Sequence, residues 1–201
     1  MKTNTQLLTL LFVSAYFISA LFIRLLLGHF DSNFAIGITE YTPAFWFTAY
    51  GLTFKMMINI LFSFILLKTG LLFFQVNAKS KDLFEIIILT SNIFLIQLWC
   101  EFIFVKTAPY FHINRQYLKF IFLSINQYLQ WVNGRQITHF EYAFDTINLF
   151  EVSFWITLMI GLSKEMSLSA LKSVKIVALF YILPLLFLIS VITIVNLIFS
   201  R

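Results

Sequence analysis

The chain has 201 residues, of which 60% are hydrophobic and only 11% charged, with a formal net charge of +5 and a mean hydropathy of +0.89. That is too little polar surface to cover a soluble globule and more apolar mass than one core can use, so the composition predicts an integral membrane protein. The cations are scattered with no arginine-rich run, which argues against a nucleic-acid partner and for ordinary membrane-orientation charge.

In chain order, the first predicted element is an apolar run over residues 7–27, long enough to span a bilayer. Ile18-Ser19-Ala20 resembles a signal-peptide cleavage site. The run continues through Leu27 with no polar domain behind it, so an uncleaved helix fits better. Ser14, Ala15, Ser19 and Ala20 offer a small-residue face for another helix. Thr42 as N-cap and Pro43 at the first helical position mark the next helix start. The aromatic stretch that follows is either a short interfacial helix or an outward extension of the second span, about residues 54–76. Within that span Lys68 is placed to run its stem along the helix towards water.

After a turn carrying Lys79 and Lys81, the third span is predicted over about residues 83–105. Gln97 and Glu101, four apart, share a face directed into the bundle. Cys100 lies in an apolar run and reads as a structural thiol. The long polar segment that follows contains a clean 3.6-residue pattern over residues 114–132, ended by Asn133-Gly134. Its apolar stripe includes Leu118, Ile121, Ile125 and Leu129, so an amphipathic helix lying on the membrane surface is expected. The fourth span, about 147–163, and the fifth, about 175–199 with Pro184 inside it, enclose the short turn bearing Lys164, Lys172 and Lys175. The fold class is therefore all-α: a polytopic bundle of five transmembrane helices plus one surface helix, in a single membrane domain.

Two stretches carry a family resemblance. One is the helix ending Ile160-Gly161-Leu162, the basic turn with Ala170-Leu171-Lys172, and the apolar helix containing Pro184. The other is Phe74-Gln75-Val76-Asn77-Ala78-Lys79-Ser80-Lys81. Both resemble the YIP family, the Ypt/Rab-interacting membrane proteins and their bacterial relatives. The resemblance implies a multi-pass helical membrane component without enzymatic activity, acting beside partner membrane proteins.

With five spans, Lys2 and the two short lysine turns fall on one side, and cation density in short loops sets orientation. The N-terminus is expected in the cytoplasm and the C-terminus outside, in a bacterial inner membrane. Arg24, Lys55, Glu101, Glu151 and Asn196 then form a polar layer under the outer surface. Two readings of it stand. In one, Arg24 pairs with Glu101 or Glu151 to hold helices together; in the other, the layer is an outward vestibule for a polar solute or ion.

Chemistry-bearing motifs are missing from the sequence: no His-Glu-x-x-His, no Gly-x-Ser-x-Gly and no glycine-rich phosphate loop. His29, His112 and His139 lie far apart, and no catalytic residue, cofactor or metal is predicted. The expected function is a non-enzymatic membrane component that packs with a partner membrane protein or a second copy of itself, or organises lipid. The alternative is a small permease or channel subunit using the outer vestibule.

Overall fold

A computed structural model describes residues 5–30, 43–107 and 147–199. These fold into α1 (Thr5–Phe30), α2 (Pro43–Phe73), α3 (Ser80–Thr107), α4 (Leu149–Glu165) and a long rod formed by α5 (Ala170–Val177), a π-helical turn (Ala178–Ile182) and α6 (Leu183–Phe199). No strand occurs among the described residues. Windows Thr5–Ile23, Tyr50–Phe73, Ser80–Cys100 and Ala170–Val195 are each long and apolar enough to cross a membrane. At 17 residues, α4 is shorter than those four. The surface helix expected over 114–132 lies outside the described residues.

α2 runs unbroken from Pro43, so the aromatic stretch extends the second helix and is not a separate interfacial one. Proline suits that first position because its missing N–H would have had no intrahelical partner. The helix faces then sort by what they meet. On α2 the buried positions Thr53, Met56, Ile60, Ser63, Leu67 and Leu71 recur every three or four residues, while Phe54, Leu61, Ile65 and Leu72 are more than half exposed. Such apolar exposure has no place in water and reads as a lipid-facing surface. On α1 the buried stripe is Phe12, Tyr16, Ala20 and Ile23. The small-residue face expected on this helix is split by it: Ala20 is buried and Ser19 half-buried, whereas Ser14 and Ala15 point outward. α1 packs on α2 and α3, and α4 packs on α3 and α5.

Two glycines set how closely these helices approach. A Cβ on Gly161 would lie 2.8 Å from Ile86 Cγ2, and one on Gly70 2.8 Å from Phe180 Cγ. The first lets α4 press against α3, and the second lets the π turn press against α2. Small residues at such crossings give lipid-embedded helices the close packing that the hydrophobic effect does not supply there.

The two lysine-bearing turns are built alike. After α2, Gln75 takes a left-handed conformation at φ 54°. Its N–H donates to Leu72 O at 3.0 Å and Val76 N–H donates to Leu71 O at 2.8 Å. After α4, Ser167 does the same at φ 52°, with Ser167 N–H to Lys164 O at 3.4 Å and Leu168 N–H to Ser163 O at 3.1 Å. Each is a Schellman stop with a side-chain-bearing residue where glycine is usual. A side chain of the preceding helix reinforces each turn: Lys68 Nζ donates to Ala78 O at 2.8 Å and Ser163 Oγ to Leu168 O at 2.9 Å. Lys68 thus reaches back to the turn that ends its own helix. Side-chain caps open the two helices on either side of the second turn, Asn148 Oδ1 accepting from Glu151 N at 2.9 Å at the start of α4 and Ser169 Oγ from Lys172 N at 3.3 Å at the start of α5.

Pro184 explains the π turn. It has no N–H to offer, and its ring collides with the carbonyl four residues back in a regular helix, which here is Phe180 O. The chain widens just ahead of it, and Leu183 N–H bonds to Ala178 O, five residues back. The widening carries Tyr181 into the core, where it is 6% exposed.

Candidate functional site

The site is a buried polar junction around Glu151. Asn148 caps α4 and thereby fixes the register of its first turn, which places Glu151, Phe154, Leu158 and Leu162 on the buried face. Glu151 is 8% exposed. Its Oε1 accepts two hydrogen bonds, from Trp155 Nε1 at 2.9 Å and from the Tyr181 hydroxyl at 3.1 Å. Trp155 is one turn further along the same helix, the spacing at which side chains meet. Tyr181 comes from the π turn of the rod, 30 residues away in sequence. Beyond it, Ser63 of α2 adjoins the Tyr181 hydroxyl and is itself anchored to Asn59 O at 2.7 Å. The string Trp155, Glu151, Tyr181, Ser63 therefore ties α4, the π turn and α2 together.

Apolar walls close the junction. Phe154 stacks obliquely on Tyr181 with ring centroids 5.5 Å apart and on Phe94 of α3 at 5.1 Å. Glu151 stands 13 residues from Lys164 (164 − 151), a rise of about 20 Å.

Of the polar layer expected from sequence, Glu151 is buried and Lys55 is exposed on α2. The side chains of Arg24, Glu101 and Asn196 lie outside the described residues, and with them the expected pairing of Arg24 with a glutamate. The donors that do reach Glu151 are Trp155 and Tyr181, neither of which sequence reasoning singled out. Trp155 was findable, being four residues from Glu151 on one helix. Tyr181 was not, because its partner is set by the packing of two helices.

Elsewhere, Trp99 Nε1 donates to Ser19 Oγ at 3.2 Å, joining α3 to α1. At the other end of these helices Thr5 donates to Glu85, which also faces Lys81 at 3.8 Å. Cys100 is half-buried. Among the described residues no group of histidine, cysteine or acidic side chains is placed to hold a metal. No family model matches the chain, nor does any curated protein or solved structure.

Proposed function

We propose that this protein is a non-enzymatic, five-span component of a bacterial inner membrane, with its N-terminus in the cytoplasm and its C-terminus outside. It acts by packing against a partner membrane protein or a second copy of itself, or by organising the lipid around it. The observation that carries the proposal is the Glu151 junction. An ionisable group inside a membrane bundle is costly unless partnered. Here two donors hold the carboxyl in a helix-joining role, Trp155 on its own helix and Tyr181 on the rod. α4 supplies the fifth span, its 17 residues meeting the lower end of the range that crosses a bilayer. The likeness of the two lysine turns to the YIP pattern supports the same reading. In this chain Gln75 takes the left-handed position, where a glycine would meet no steric cost. Affinity purification from mild detergent, followed by mass spectrometry, tests the proposal. A stoichiometric membrane-protein partner or a stable homo-oligomer supports it, and a lone monomer whose deletion alters solute flux overturns it.

A second reading draws on one specific observation. The π turn interrupts the rod at Tyr181, at the residue that contacts Glu151, and transporters pair broken helices with intramembrane ionisable groups. As a permease or channel subunit, the reconstituted protein would conduct an ion or solute, and Glu151→Gln would change that flux while leaving thermal stability nearly intact.

A further inference from the structure

Between the end of α4 and the start of α5 lies an open groove of about 320 Å³, within the size range of small-molecule sites. Ile156, Met159 and Ile160 form one wall, Ala170 and Val174 the other, and Lys164 stands at the rim. Ile156 and Lys164 are eight residues apart on one helix, so the slot runs roughly 12 Å from the lysine along the apolar wall. Ile156, Ile160 and Val174 are each between 42% and 52% exposed. An apolar slot with a cation at its water end has the shape and polarity of a phospholipid: tail along the wall, phosphate at the rim.

Charge decides which phospholipid. The turn holds Lys164, Lys172 and Lys175 against Glu165, a local balance of +2 (3 − 1). Lys164 is exposed, and the ion pair found among the described residues, Lys81 with Glu85, does not involve it. A second, smaller groove lies beside the α2–α3 turn, about 260 Å³ and lined by Lys68. Its lysine is already committed to Ala78 O, so it lacks the free cation that the first groove offers.

The geometry points to an anionic phospholipid bound in the α4–α5 groove, with its headgroup phosphate on Lys164 and one acyl chain along Ile156, Met159, Ile160 and Val174. The site deepens the lipid-organising side of the proposed function and rests on its placement of α4 and the rod in the bilayer. A zwitterionic lipid fills the slot equally well but brings its own cation, so the lysine contributes less to holding it.

Native mass spectrometry of the purified full chain in micelles, titrated with dioleoylphosphatidylglycerol or dioleoylphosphatidylcholine, tests the site. The wild type is expected to bind the anionic lipid roughly fivefold more tightly, the factor one interfacial lysine supplies. Lys164→Gln should bring the two lipids within about twofold of each other. Ala170→Trp, which fills the slot, should weaken both, and Lys55→Gln should alter neither. Equal affinities in the wild type, a preference that survives Lys164→Gln, or one lost equally with Lys55→Gln would overturn the site. Because micelles have no sidedness, the result is independent of orientation and of any partner. A chain that retains a co-purifying protein without lipid preference loses this site and keeps the partner-packing reading; lipid preference with no co-purifying protein loses partner packing and keeps the site with the lipid-organising reading.

Discussion

Replacing Tyr181 by phenylalanine removes one hydroxyl from the core and keeps the ring that packs on Phe154. The change is therefore confined to the bond from Tyr181 to Glu151 Oε1 and to the neighbouring Ser63. Side-chain hydrogen bonds between helices in a bilayer average about 0.6 kcal/mol and reach about 1.7. Trp155 still donates to the same oxygen, so Tyr181→Phe should cost about 1 kcal/mol, with Trp155→Phe similar once its loss of ring area is included. The double variant strips Glu151 of both donors. A buried acceptor without partners costs about 1–3 kcal/mol, so the double should exceed the sum of the singles by about 1 kcal/mol. Unfolding by SDS in mixed micelles, followed by far-UV circular dichroism, gives the three free energies without relying on the tryptophan signal. If the double equals the sum of the singles, or neither single lowers stability, the junction is not the element joining α4 to the rod.

Gly161→Ala should lower stability by about 1–2 kcal/mol despite alanine's better helix propensity, because its Cβ meets Ile86 Cγ2 at 2.8 Å. Ile86→Ala will itself destabilise the buried core, but in that background the further cost of Gly161→Ala in the same titration should shrink, because the obstructing methyl is gone. Gln75→Gly and Ser167→Gly should each stabilise by up to about 1 kcal/mol, because both positions have positive φ and both residues are exposed; a loss of stability would show that the side chains are held there by contacts. Cysteines at Ser80 and Ser167 should label from the cytoplasm, and those at Ser32 and Asn133 from outside. Labelling of positions 32 and 80 from the same side would exclude the five-span arrangement.

Much of this fold is legible in the sequence because lipid leaves few choices. A long apolar run must satisfy its backbone internally, so the helices over 7–27, 83–105 and 175–199, and the second helix expected over 54–76, follow from composition and length, although the second one stops at Phe73, where the turn at Gln75 ends it. Local rules also place the caps, since Pro43, Asn148 and Ser169 act within a few residues of themselves. Which face of a uniformly apolar helix turns inward is another matter. In lipid-embedded helices both faces are apolar, so no hydrophobic stripe marks the core. That is why Ser14 and Ala15 point outward while Ala20 is buried. Packing made those decisions: glycines at 70 and 161 allowed close crossings. The demand of Pro184 widened one turn, and the widened turn brought Tyr181 to a carboxylate 30 residues away. Sequence placed Glu151 in the first turn of a helix; only the meeting of α4 with the rod determined that Tyr181 would be its partner.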